Sequence, residues 1–168
     1  LEVAAAGKGT LYMPEYHSIN PDTVWDHYFG EGGAERARRG GMNAKMFTSF
    51  IDGTKSAIEM AAVSNATGLT PAPAGLSFPA CAVENLASSM IPEKAGGILH
   101  HKGQVEVISS RQRNGNDVEN DLRWGVYVTF HAPTDYVEQC FVDYGLITDS
   151  SGQYSALWRP YHLIGLEL

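Results

Sequence analysis

The sequence predicts an α+β domain whose helices pack on one face of a mostly antiparallel sheet. Three observations predict it. A long helical pattern covers 43–67, two Val-rich segments of alternating polarity flank a turn-forming stretch, and the elements run helix, hairpin, helix, strand rather than in strict β-α alternation.

The chain opens on Leu1-Glu2-Val3-Ala4-Ala5-Ala6, a short apolar run that meets Gly7-Lys8-Gly9-Thr10. This reads as the last residues of a buried strand followed by a loop. Pro14 and Pro21 make 11–29 turn-rich, with a short helix over 21–29. Gly30 to Gly41 is a Gly-rich, charged loop. The strongest helix then runs from the N-cap Asn43 to Thr67, with Gly68 as the residue that ends it. Thr70-Pro71-Ala72-Pro73-Ala74-Gly75 suits neither a helix nor a central strand, because proline lacks the amide hydrogen that both require. Residues 81–90 fit another short helix.

Gln104 to Ser110 and Trp124 to Phe130 read as strands. The turn chemistry of Asn114-Gly115-Asn116-Asp117 between them predicts an antiparallel hairpin. Thr134 caps a helix carrying Tyr136, Val137, Cys140, Phe141 and Tyr144, which ends at Gly145. Ser155 to Trp158 adds a strand, and Pro160 opens a helical pattern over 161–168.

Composition narrows the function. The 168 residues carry 12 basic and 19 acidic side chains, a formal net charge of -7. That argues against a nucleic-acid partner, which needs a basic face to release counterions. No apolar run is long enough to span a membrane. Cys81 and Cys140 lie far apart in apolar surroundings, as expected of free thiols in the reducing cytoplasm. Both ends are apolar and lack caps, so the chain reads as a piece of a longer protein. Residues 1–10 are expected to be the exit of a preceding domain, and 11–168 the central domain, cut through its last helix.

The 43–67 helix carries the most chemistry. Its polar groups, Thr48, Asp52, Lys55, Ser56 and Glu59, share one narrow stripe, while Met46, Phe47, Phe50, Ile51, Ala57 and Ile58 cover a wide apolar arc. Asp52, Lys55 and Glu59 stand at i, i+3 and i+7, within mutual reach. A lysine held between two carboxylates suits proton transfer to a substrate oxygen. A solvated salt-bridge stripe has the same spacing, and both readings stand at this point. Elsewhere, Gly7-Lys8-Gly9 lacks a full G-x-G-x-x-G but would let backbone and Lys8 approach a ligand. Arg159 and His162 bracket Pro160 at a helix start, a place that favours anions. His100-His101-Lys102-Gly103 reads as a polar turn.

Several segments together resemble one family. Gly7-Lys8-Gly9-Thr10, Thr23-Val24-Trp25-Asp26, the stretch Met46 to Met60 and Arg159-Pro160-Tyr161-His162-Leu163 are similar to the central domain of homoserine dehydrogenase-like oxidoreductases. That family includes bacterial proteins similar to deoxyxylulose phosphate reductoisomerase. The resemblance implies a domain for catalysis and dimer contacts, following a Rossmann domain that binds NAD or NADP. It implies a homodimer acting on a small anionic carbonyl or alcohol, and inactive without the nucleotide domain. Asp52, Lys55 and Glu59 would be catalytic, with the Asp–Lys spacing differing by one residue from the homoserine dehydrogenases. Gly7, Lys8, Gly9 and Thr10 would border the cofactor. Lys8, Thr48, Lys102, Arg159 and His162 would hold the substrate. In the reductoisomerase version a divalent cation also takes part.

Overall fold

The computed structural model describes residues 1–28 and 30–162. Its centre is a four-stranded sheet in the order β2-β1-β3-β4, formed by β1 (Glu2–Thr10), β2 (Gln104–Ser109), β3 (Val126–His131) and β4 (Tyr154–Arg159). β1 pairs with β2 in parallel and with β3 antiparallel, and β3 pairs antiparallel with β4. Among the described residues six α-helices surround it: α1 (Val24–Tyr28), α2 (Gly33–Arg39), α3 (Ala44–Ile51), α4 (Thr54–Thr67), α5 (Leu86–Ser89) and α6 (Asp135–Asp143). The expected α+β class, with a mostly antiparallel sheet, is what forms.

Strand alternation assigns the two sheet faces. Lys8 stands opposite Val107 on β2 and Val126 on β3. On that face Val105 and Val107 pack with Met60 of α4, while Phe130, with Val128 beside it, packs with Phe141 of α6. The reverse face, with Ala5, Ile108 and Tyr127, is covered by the 81–99 segment, including Leu86, Met90 and Leu99.

Several local expectations need correction. Within 30–41, expected to be a loop, Gly33–Arg39 is helical. Residues 2–10 form one strand throughout, so Gly7-Lys8-Gly9 lies within the sheet rather than in a loop. The glycines are there because the backbone is crowded. A Cβ on Gly7 would meet the Glu106 carbonyl oxygen at 1.8 Å, and one on Gly9 would meet that of Leu122 at 1.8 Å.

The expected hairpin does not form, because β1 lies between β2 and β3. The polar alternation of β2 was misleading, since every residue of that strand is buried. Gln104 Oε1 accepts the His100 amide at 3.0 Å. The Glu106 carboxylate accepts the Ser77 amide and hydroxyl and the Phe78 amide at 2.8–3.3 Å. Buried polar side chains with partners imitate a solvent-facing pattern. The 112–117 turn does form, but it closes on an Arg111–Asp117 bridge.

The helix expected over 43–67 is two helices. Asn43 caps α3, accepting the Lys45 amide at 3.0 Å, and Gly68 follows α4 at φ 76°. Between them Gly53 adopts φ 91°, a left-handed conformation that breaks the helical hydrogen-bond ladder. Of the helix expected over 161–168, Tyr161 and His162 are not helical, and 163–168 lie outside the described residues. Among the described residues, no helix is long and apolar enough to cross a membrane.

Candidate active site

The site begins with α4. Lys55 and Glu59 are one turn apart there, so their heads meet on the helix surface. β1 brings a third group from 51 residues away. The Lys8 ammonium donates to Glu59 Oε2, and the Lys55 ammonium donates to Glu59 Oε1. One carboxylate therefore holds two lysines. His162 joins at the edge, its Nε2 3.9 Å from Glu59 Oε1, while its own amide donates to the Trp124 carbonyl at 3.0 Å.

Burial makes this arrangement chemically distinct from a surface ion pair. Lys8 is only 7% exposed. Desolvation lowers its pKa below the usual lysine range, outweighing the stabilising Glu59 carboxylate, and the nearby Lys55 charge adds to the lowering. For Glu59, burial pushes the carboxyl upward, but the hydrogen bonds from Lys55 and Lys8 prevail and hold it below its ordinary value.

These lysines face a cleft of about 660 Å³. Its cations are Lys8, Lys55 and Arg123, with His162 at the rim, and no carboxylate is among the described lining residues. Glu59 bonds both lysines from behind. Tyr28, Phe50, Trp124 and Tyr161 give the cleft aromatic walls, and Lys55 Nζ sits 5.3 Å from the Phe50 ring centre. Thr10 also lines it, its hydroxyl donating to the Phe50 carbonyl at 3.1 Å. The geometry offers paired ammonium donors and a cationic, partly apolar space for a small anion carrying an oxygen to be protonated.

The other expected site residues are not brought here. Asp52 ends α3, and its Oδ1 accepts the Thr54 amide at 2.8 Å, so it caps the helix break. The Gly53 turn separates it from the helical spacing that placed it beside Lys55. Thr48 is buried and donates to the Ala44 carbonyl at 2.9 Å. Gly7 and Gly9 belong to the reverse sheet face, against Glu106 and Leu122, and cannot approach a ligand in the cleft. Arg159, opposite Val126 at the end of β4, stands on the same sheet face as Lys8 two strands away, but it is exposed and not among the residues lining the cleft. Lys102 pairs with Glu2 at 2.5 Å, at the far end of β1. Lys8 lies six residue steps along the strand from Glu2, about 20 Å at ~3.3 Å per residue.

Sequence reasoning missed Arg123, Tyr28 and Phe50 as lining groups. A faint signal existed for Arg123, a charge between the large apolar Leu122 and Trp124 just before a strand. Nothing in spacing could pair Lys8 with Glu59. For a divalent cation, no group of three or more His, Cys, Asp or Glu is set to hold one among the described residues. Glu59, the nearest carboxylate, is already saturated by two ammonium groups, so these residues do not fit a metal.

Comparison with known families matches residues 1–168 to the family described as Oxidoreductase DRL, catalytic domain. No curated protein matches the chain.

Proposed function

The chain belongs to the oxidoreductase DRL catalytic-domain family and is thus an oxidoreductase catalytic domain, and on that premise we propose that it serves an NAD(P)-dependent enzyme reducing a small anionic carbonyl compound. The observation that carries the reading is the shared carboxylate, with Lys8 and Lys55 on Glu59 at the wall of a cationic cleft. The substrate class is that of the homoserine dehydrogenase-like and deoxyxylulose phosphate reductoisomerase-like enzymes.

The nicotinamide nucleotide, when bound, supplies the hydride. Gly7-Lys8-Gly9 is strand and offers no turn to cradle a pyrophosphate, in keeping with a nucleotide held mainly by a separate domain. What the chain does concerns the oxygen. Lys8 and Lys55 donate hydrogen bonds to the carbonyl oxygen and stabilise negative charge as it develops. Lys8, whose burial weakens its hold on its proton, delivers that proton. Glu59 keeps both ammonium groups aimed, and Tyr28 and Phe50 lend the cleft apolar surface. The free thiols of Cys81 and Cys140 support a cytoplasmic setting.

The test uses the full-length protein and follows NADPH oxidation with deoxyxylulose phosphate and with aspartate semialdehyde. Lys8→Ala and Lys55→Ala should each cost about 10²–10⁴-fold in kcat/KM, as loss of a positioned proton donor does. Asp52→Ala should retain most activity if the protein stays folded. Unchanged turnover in both lysine variants would sink the assignment and leave a module that binds ligand without chemistry.

A further inference from the structure

The geometry points to Arg123 as the group that captures the oxyanion tail of the substrate, an inference that rests on the reductase reading above. The cleft wall holds three cations. Two of them, Lys8 and Lys55, are committed to Glu59 and to the reacting oxygen. Arg123 is the remaining cation among the described lining residues, and it enters from a different element, the loop leading into β3.

Its support is built from outside the cleft. Arg123 Nε donates to the Ser110 hydroxyl at 3.0 Å, which fixes the plane of the guanidinium. Two carboxylates lie within ion-pair range of its Nη2, Asp117 at 3.6 Å and Asp121 at 4.0 Å, both longer than a hydrogen bond. Asp117 is also engaged by Arg111 at 3.0 Å. Asp121 is further occupied by the Arg123 amide, which donates to its Oδ1 at 2.6 Å. Neither aspartate lines the cleft. The guanidinium fork is thus held from one side by Ser110 and two loose ion pairs, in a second hollow that it shares with both aspartates, and Arg123 also lines the cleft. Such a planar fork matches the two oxygens of a carboxylate or phosphate, a match an ammonium cannot supply.

The neighbouring groups fit the same role. Tyr28 and Trp124 line the cleft together with Arg123, adding aromatic surface beside the cations. A substrate with an oxyanion at one end and a carbonyl at the other spans the cleft in one orientation.

The first experiment titrates the chain with inorganic phosphate and, separately, with acetate, following backbone amide shifts by NMR. The two probes separate a phosphate tail from a carboxylate tail. Binding of either probe should move the amides of 122–125, and Arg123→Gln should weaken it about 10- to 100-fold, the usual worth of a charge-assisted bond. Arg123→Lys should recover only part of the loss; it also decides the matter if Arg123→Gln does not fold. Affinity within twofold of wild type, or shifts centred on Lys94 and Lys102, would overturn the assignment. The second arm measures turnover of the full-length protein. Arg123→Gln should raise KM far more than it lowers kcat, and added guanidinium should partly restore KM. If wild type turns over neither substrate while Arg123-dependent anion binding persists, the reductase reading fails and the anion site stands. Turnover with an unchanged KM in Arg123→Gln removes the anion site and leaves the reductase.

Discussion

Replacing Gly9 with alanine would place a methyl carbon 1.8 Å from the Leu122 carbonyl oxygen and 2.4 Å from its carbonyl carbon. Both are backbone atoms, so no side-chain rotation can relieve the clash. β1 must move away from the 122–125 segment by more than about 1 Å to restore ordinary contact, against a tightly packed sheet. That movement strains the Gly9 amide bond to the Gly125 carbonyl, now 3.0 Å long. Overpacking of this kind costs about 1–3 kcal/mol, and a lost hydrogen bond about 1 kcal/mol more. Together, about 2–4 kcal/mol should lower Tm by roughly 5–15 °C for a chain of this size. The assay is thermal unfolding by circular dichroism at one pH. Gly115→Ala is the control: Gly115 has φ 88° with nothing within 4 Å of a new Cβ, so only the left-handed backbone penalty applies, about 1–2 kcal/mol. A Gly9→Ala protein that melts within about 2 °C of wild type, or no lower than the control, would refute the packing argument.

Four further outcomes are expected. Glu59→Gln leaves two buried or half-buried ammonium groups facing each other. It should cost about 2–3 kcal/mol in urea unfolding, below the ~3–5 of a fully buried pair, and the added Lys8→Met should recover part of that. Acid should act on Glu59 and Asp149. Burial pushes each carboxyl up, yet hydrogen bonds hold both below their ordinary values of 4.5 and 3.8. A lowered folded pKa gives stability that is complete above the ordinary value and lost as pH falls through the folded one. The urea midpoint should thus drop below about pH 4.5, more weakly in Glu59→Gln; an equal drop in both would count against this reading of Glu59. Burial, then the Glu84 charge, pushes the Cys81 thiol up to about 12, so a thiol reagent at about pH 8 should label Cys140 first and reach Cys81 only on unfolding. Glu106→Gln should destabilise by about 2–3 kcal/mol, because it weakens the charge-assisted bonds that hold Ser77 and Phe78, the latter at φ 51°; a melt unchanged by the substitution would contradict this.

The readings that survived and those that failed differ in the range of the forces behind them. Caps are local, and the sequence placed them well: Asn43 and Thr134 start helices and Gly68 ends one where expected, because a side chain or a glycine satisfies backbone groups within a few residues. The last strand was also legible, close to 155–158. The break at Gly53 was not, since one glycine in a helical pattern is tolerated as often as it ends a helix. The false hairpin shows the limit of periodicity. Polarity at Gln104 and Glu106 signals solvent only if no buried partner exists, and the partners came from His100, Ser77 and Phe78.

The sequence by itself determined the α+β class, the Lys55–Glu59 pair one helical turn apart, and the net negative charge. All follow from composition or from spacing within one element. Tertiary structure decided the rest. It put β1 at the centre of the sheet, joined Lys8 to Glu59 across 51 residues, moved Asp52 out of the ion cluster and Lys102 to the opposite end of the strand, and brought Arg123 to the cleft. Helical spacing fixes neighbours along one element, whereas strand pairing and the burial of apolar faces choose neighbours between elements, and no residue pattern along the chain encodes that choice alone.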